Sequence, residues 1–344
     1  MTDLVIFDLS AVVYHAQGDQ YHNTKTCLGL PVYGICDLLK RCCAELGLSN
    51  DIMIVGDSKT FRKEEDENYK KGRTPNRSVN VQLDLIDELL PRCGFFINKV
   101  KGFEADDLIH WACDELYDKY NNITIYSNDM DIIHDVRERV KYVSLRNNGP
   151  IVTTDNFERV ADSLVKIPFN TISAHKTFCG CKSDNIKPVD DPNCKSWVLY
   201  DTFIQFCKVN DFIGKWEVTT SKDCIQFFIN KVQGIEDSTR EKLLKNVELV
   251  YPADKPDGAE LYTNSFSKFN KSSKLLLSEL LTVLYEYNAL NSINLNKTEV
   301  SQELKDLFFR YKNLYETGAY SVDKNLEVDP SYEIETEPYF IKEF

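Results

Sequence analysis

Seven acidic side chains fall where four short apolar runs end. Asp8 closes the run at 4–7, Asp57 follows 52–55, Glu104, Asp106 and Asp107 follow 95–97, and Asp129 and Asp131 follow 123–126. Any one of these acids alone would read as a helix N-cap, a common use of Asp at such a position. Seven at four ends need another account, because carboxylates crowded into one cleft raise one another's pKa at a cost in stability. Hard divalent cations remove that conflict. A donor set of oxygens alone, without His or Cys, favours Mg2+ or Mn2+ over Zn2+. Glu104 and Asp107, three residues apart, share one helix face, so both are expected to look into the cleft with Asp106 at its flank.

The apolar runs that lead into these acids are short and bounded by polar residues, as buried parallel strands are. Between them, residues 32–46, 81–90 and 105–116 repeat apolar side chains with a spacing near 3.6. That β-α-β-α order predicts a parallel sheet with helices on its faces over the first 150 or so residues. Parallel strands present their carboxyl ends on one side, the edge where open α/β sheets bind ligands, so the acids should converge. Beyond residue 189 the chain is rich in Lys, Asn and aromatics, with helical patterns at 194–207, 223–229, 238–247 and 275–288. PADKPDG (252–258) is a loop by composition, and the acidic, aromatic 333–344 reads as a tail.

One stretch inside the first part breaks the pattern. Residues 58–80 hold few large apolar side chains, Phe61, Tyr69 and Val79, but crowd together Lys59, Arg62, Lys63, Lys70, Lys71, Arg73 and Arg77. Such an insertion cannot bury a core of its own, and inside a compact domain it is usually functional or disordered. A basic segment beside an acidic, metal-filled cleft can hold phosphates without changing the charge of the whole molecule. The alternative is a solvated loop in which Lys63 pairs with the acids at 64–67.

The composition limits the choice of partner. A net charge of -13 and a pI near 5.0 exclude a general polyanion-binding surface, so any nucleic-acid contact must be local. Eleven cysteines, an odd number that includes the adjacent Cys42 and Cys43, lack the spacing of a disulfide framework and point to a reducing compartment. The N-terminal apolar stretch is cut by Asp3 and Asp8, so neither a signal peptide nor a membrane span is expected, and the chain reads as soluble and intracellular. No GxSxG or P-loop spacing occurs. His175, Cys179, Cys181 and Cys194 offer nitrogen and sulfur within a short span, but the spacing fits no common zinc motif and buried thiols are the better account. Tyr14 is assigned to the core, and His15 either to a phosphate contact or to a partly exposed helix face.

The sequence resembles the 5′ nucleases of bacteriophages and bacterial polymerase I, relatives of the flap endonucleases within the PIN-like fold. The pieces that carry the resemblance are, in order, DLSAVVYHA (8–16), GDSKTFRKEEDENYKKGR (56–73), GFEADDLI (102–109), SNDMDIIHDV (127–136) and GCKSDNIKPV (180–189). Each alone is weak; all five in the family's order cover about the first 190 residues. The resemblance implies two Mg2+ ions, replaceable by Mn2+, with ligands at Asp8, Asp57, Glu104, Asp106, Asp129, Asp131 and Asp184 and with Asp107 nearby. It makes residues 58–80 the family's helical arch, with Lys70 and Arg73 approaching the scissile phosphate. Arg62, Tyr69, Lys70, Lys71, Arg73 and Arg77 would contact nucleic acid, Tyr69 by stacking on a base.

The expected architecture is a PIN-like parallel sheet flanked by helices over 1–190, with the basic arch at 58–80, then a mostly helical, duplex-contacting part over 191–344. The implied reaction is phosphodiester hydrolysis of flap, nicked or RNA-primed DNA during replication. Branched or 5′-ended DNA and RNA–DNA primer junctions would be the substrates, and a single-strand-binding protein a partner. A monomer in the cytoplasm, of the host if the chain is viral, is expected. A PIN-type single-strand ribonuclease and a non-catalytic branched-DNA-binding relative are the alternatives.

Two features depart from the family. Cys181 stands where the first Asp of its G-D-x-x-D-N motif belongs, and no glycine-rich helix-hairpin-helix follows at once; GIEDST (234–239) is a displaced echo. The T-even phage ribonuclease H group shares the second departure and resembles this chain most.

Overall fold

The computed structural model describes residues 2–18, 26–27, 30–146, 149–156, 172–189, 195–210, 218–232, 235–290 and 301–317. The elements in the first part are β1 (Leu4–Asp8), α1 (Leu9–Gly18), β2 (Thr26–Cys27), β3 (Leu30–Pro31), α2 (Tyr33–Gly47), β4 (Asp51–Val55), α3 (Arg62–Glu65), α4 (Arg77–Arg92), β5 (Ile97–Asn98), α5 (Ala105–Glu115), β6 (Ile123–Ser127), β7 (Val140–Ser144) and β8 (Ile151–Val152). Six strands form one sheet in the order β5-β4-β1-β6-β7-β8, parallel except for β8.

The apolar runs are strands because both of their faces are covered. Val5 and Phe7 of β1 join Ile52 and Ile54 of β4 in one core with α1, α2 and α4, while Leu4, Ile6, Met53 and Val55 point into a second core with α5. This is the alternation that a strand imposes. From β1 the chain builds outward through β4 to β5, then returns to place β6 on the other flank of β1. The reversal opens a crevice at the carboxyl ends of β1 and β6.

The later helices are α6 (Ile172–Cys179), α7 (Ser196–Val209), α8 (Val218–Lys231), α9 (Asp237–Val250), α10 (Lys271–Leu290) and α11 (Gln302–Glu316). They divide their packing. Residues of α6 to α9 form a third core around Phe178, Phe203 and Phe228, whereas α10 and α11 return to the first core and bury Leu280, Val283, Leu304 and Phe308 beneath the sheet. The helical patterns at 194–207, 223–229, 238–247 and 275–288 correspond to α7 to α10. The expected third strand is shorter than 95–97 suggests, pairing only at Ile97 and Asn98. Residues 252–258 form a loop. The acidic stretch at 333–344 lies outside the described residues.

Two expectations need correction. Tyr14 is 49% exposed on α1 rather than in the core, because the helix meets the sheet through Val12 and Val13. The basic insertion is not a free arch. Arg62 is 1% exposed, with its guanidinium buried behind α5, and Tyr69 packs with Cys181, Ile186 and Leu249. Cys42, Cys43, Cys93, Cys113, Cys179, Cys181, Cys207 and Cys224 are free thiols, and no described helix is long and apolar enough to cross a membrane.

Candidate metal centre

Asp8 lies at the last position of β1, where its backbone is still paired with Val55. One carboxylate oxygen accepts from the Ala11 amide at 3.0 Å and the other from the Ser127 hydroxyl at 2.6 Å. Ser127 ends β6 and also accepts from the Asp129 amide at 3.1 Å, so one buried hydroxyl couples the two strand ends at the crevice. Asp57 follows β4 and accepts from the Ser10 hydroxyl at 2.6 Å and the Ala105 amide at 3.0 Å. Asp131 opens a 3-10 turn (Asp131–Asp135). Its amide donates to Asp129 at 2.9 Å.

Asp184 arrives from the other side on a tight turn closed by mutual backbone hydrogen bonds of Cys181 and Ile186. That turn requires Gly180, whose φ is +77° and where a Cβ would come 2.6 Å from the Ile186 carbonyl. Cys181 does face the site: its thiol lies 3.1 Å from an Asp184 oxygen. The zinc grouping around it does not assemble, since His175 packs edge-on to Tyr200. Cys194 lies outside the described residues.

The positions of Asp106 and Asp107 are the reverse of those the helix-face spacing suggests. Asp107 is fully buried and its oxygens are saturated: Arg62 donates twice, at 2.7 and 2.8 Å, and the amides of Glu104 and Ala253 each donate at 2.9 Å. No lone pair remains for a cation, so Asp107 is an anchor for the insertion. Asp106 instead shares the charge field of Glu104 and Lys70, and burial followed by the Asp107 and Glu104 charges drives its pKa far above the usual carboxylate range.

The basic residues also sort themselves. Lys70 pairs with Glu104 at 2.5 Å, and its amide donates to the Asp184 carbonyl. Its φ of +52° is strained for a residue with a Cβ and aims it at the acids. Arg73 is exposed and pairs with Asp184 at 2.7 Å. Lys71 is exposed and touches only Asn68, at 3.5 Å. Three residues assigned to nucleic acid are turned toward other partners. Arg62 is sealed between Asp107, Glu104 and the Tyr251 carbonyl. Tyr69 is 5% exposed with its hydroxyl on Glu104, and so offers no open ring face. Arg77 lies at the start of α4 over the Tyr315 ring, directed to α11. His15 is half-buried on α1.

One residue of the cleft gave no signal in the sequence. Lys176 of α6 pairs with Asp131, whose charge outweighs burial and raises the lysine's pKa. Its only mark is a place about one helical turn before Gly180.

The donors fit hard cations. Among the described residues no Lys or Arg forms an ion pair with Asp8, Asp57, Asp106 or Asp129. Burial and the Asp57 charge push Asp8 up to about 7, and desolvation with the Asp131 charge raises Asp129. Asp131 Oδ1 is buried without a hydrogen bond. The lysines hold the rest: burial is outweighed at Asp184 by the Cys181 contact and by Lys70, Lys176 and Arg73, which lower its pKa.

Residues 3–162 match the 5′-3′ exonuclease, N-terminal resolvase-like domain. The matched stretch carries every cleft acid except Asp184. The chain is 25% identical over 169 residues to a 5′-3′ exonuclease of Aquifex aeolicus, which covers 48% of this chain and 56% of that protein. It is 32% identical over 127 residues to the thermostable DNA polymerase I of Thermus thermophilus, covering 36% of this chain and 15% of the polymerase. The chain thus spans about half the length of the curated exonucleases it matches. A T5 protein co-crystallised with metal ions has the same fold, with a TM-score of 0.52 at 14% identity over 91% of this chain and 99% of that one.

Proposed function

We propose that this chain is a structure-specific, metal-dependent 5′ nuclease that hydrolyses phosphodiesters of flap, nicked or RNA-primed DNA. The observation that carries the proposal is the convergence of seven carboxylates, with Lys70 and Lys176 among them, in the crevice where the sheet reverses its strand order. Asp8, Asp57, Glu104 and Asp106 would hold one Mg2+, and Asp129, Asp131 and Asp184 a second. When bound, two such cations lower the proton affinity of water and offset charge on the leaving oxygen.

The chain's own residues supply the rest. Ser127 and the Ala11 amide fix the Asp8 carboxylate, so that it need not reorganise when a cation arrives. Lys70 and Lys176, now shared with Glu104 and Asp131, can turn to a phosphate once cations neutralise those acids. Arg73 and Lys71, both exposed, can hold the 5′ strand at the rim. We further propose that the helices of the third core meet the duplex, and that replication is the setting.

Labelled flap, nicked, RNA-primed and single-stranded substrates, incubated with Mg2+ or Mn2+ and with an EDTA control, test the proposal. Cleavage that leaves 5′-phosphates, needs metal and disappears in Asp129→Asn/Asp131→Asn is expected. Binding without cutting under every metal condition overturns it.

A further inference from the structure

Behind the cleft, on the α5 side of the sheet, a second group of donors faces inward. His110 from α5 and His134 and Asp135 from the 131–135 turn place one potential ligand atom each within 4.8 Å of one another. We infer that these three residues form a second kind of metal site, one that takes a single transition-metal ion of the Zn2+ class and stiffens the turn carrying Asp131.

The donor set differs in chemistry from the cleft. Two imidazoles and one carboxylate suit Zn2+ and its neighbours, whereas the all-oxygen cleft suits Mg2+. The spacing is right. Ligands about 2.1 Å from a tetrahedral ion lie roughly 3.4 Å from each other. His134 Nε2 is 3.5 Å from Asp135 Oδ2, and His110 Nδ1 is 2.7 Å from Asp135 Oδ1, a hydrogen bond that an ion would replace by opening it by roughly 0.7 Å.

A second observation points to a missing ligand. Asp135 is 3% exposed, yet its Oδ2 accepts no hydrogen bond. A carboxylate with a buried, unsatisfied oxygen is costly unless something completes it.

The outer contacts are those that metal-bound histidines use, with the ring nitrogen that does not bind directed at an oxygen. His134 Nδ1 lies 3.3 Å from the Ser173 hydroxyl of α6, and His110 Nε2 lies 3.6 Å from an Asp114 oxygen. Burial keeps His134 below its usual pKa, whereas at His110 burial is outweighed by the Asp135 contact, which raises its pKa, so an ion there displaces a proton from that ring. Arg137 is the nearby opposing charge, but it is tied to Asp114 at 2.8 Å and to the Cys113 carbonyl. His110 also lines a cavity of about 260 Å3 with Trp111, Asp114, Pro252 and Lys255, which gives a route from solvent. An ion here would join α5 to the turn that begins with Asp131, and through Ser173 to the helix that supplies Lys176.

The test is titration of metal-stripped full-length protein with Zn2+ in a large excess of Mg2+, which occupies the oxygen sites. About one equivalent of Zn2+ should bind, and the melting temperature should rise with it. His134→Gln and His110→Gln should each weaken that binding at least tenfold, while Asp129→Asn, in the cleft, should leave it unchanged. Co2+ on the wild-type protein gives a reading that needs no variant: an intense visible band of a four-coordinate ion supports the site, and a weak six-coordinate spectrum overturns it. Zn2+ binding that survives both histidine changes but is lost in Asp129→Asn overturns it too.

Discussion

Lys70 and Lys176 occupy an acidic cleft as internal counter-ions, each paired with an acid proposed to bind metal. A lysine in that position does two jobs in turn, neutralising the empty cleft and then meeting phosphate. Lys70→Ala should slow single-turnover cleavage by roughly 10²-fold, the scale of one lost contact to developing charge, with little effect on the thermal melt. If Lys176→Ala is crippled and Lys70→Ala is not, the roles are exchanged. Cys181 gives a second handle, because its thiol sits beside Asp184 and is a poor ligand for Mg2+. Cys181→Asp should lower the Mg2+ concentration at half-maximal rate; an unchanged midpoint in a rate-against-Mg2+ titration means residue 181 does not reach the second ion. Asp8 makes the metal-free protein sensitive to pH. Its folded pKa of about 7 lies above the ordinary 3.8, so the fold favours the protonated form and loses on the order of 4 kcal/mol as pH rises from about 4 to 7. In EDTA, wild type should therefore lose melting temperature relative to Asp8→Asn across that window, and Mg2+ at neutral pH should restore it. Parallel melts of the two proteins check this. At this scale strand ends announced most of the acids that gather, but they also pointed to Asp107 and did not announce Asp184. Helix-face spacing could not separate Asp106 from Asp107, a choice that depends on Arg62, 45 residues away, and only the family resemblance favoured Asp106.

The basic insertion is held at one end by a buried ion pair rather than by a core of its own. Arg62 lies between Asp107 and Glu104 with side-chain exposures of 2%, 0% and 8%, and its neighbours Tyr69 and Lys70 then fall onto Glu104. Breaking such a pair from one side leaves an uncompensated buried charge and costs about 3–5 kcal/mol. Arg62→Ala should lower the unfolding free energy from a urea titration by that amount, with a lower midpoint, and also abolish cleavage, since Lys70 loses its placement. Arg62→Lys should recover little, because an ammonium cannot make the double contact to Asp107. A wild-type urea midpoint in Arg62→Ala would show that the insertion is free. Basic composition suggested a segment that holds phosphates beside the cleft, with a solvated loop as the alternative. What fixes it is a partner on α5 that no local pattern in 58–80 contains, whereas the amphipathic repeats of α2, α4 and α5 carried their own periodicity and were legible.

The whole molecule is less divisible than its sequence. A boundary near 190 separates a strand-rich stretch from a helical one, but α10 and α11 close the first core: Leu277, Leu280, Val283, Leu304, Leu307 and Phe308 are all at most 5% exposed against residues of the sheet and its helices. Residues 262–264 also finish the sheet edge, with Asn264 exchanging backbone hydrogen bonds with Ile52, and Asn98 bonding Tyr262. Burying each large apolar side chain is worth about 1.5–3 kcal/mol, so six of them match the whole stability of about 5–15 kcal/mol expected of a domain. A fragment of residues 1–190 should therefore fail to fold alone: it should show no cooperative thermal transition and should expose enough apolar surface to bind a hydrophobic dye. Phe308→Ala in the full chain should cost about 3–5 kcal/mol although it lies far along the sequence from every cleft acid. If the fragment instead melts sharply and the Phe308 variant is as stable as wild type, the strand-rich part is self-sufficient and α11 merely rests on it. The packing of Phe308, 0% exposed in the same core as Val5 and Phe7, argues for the first outcome.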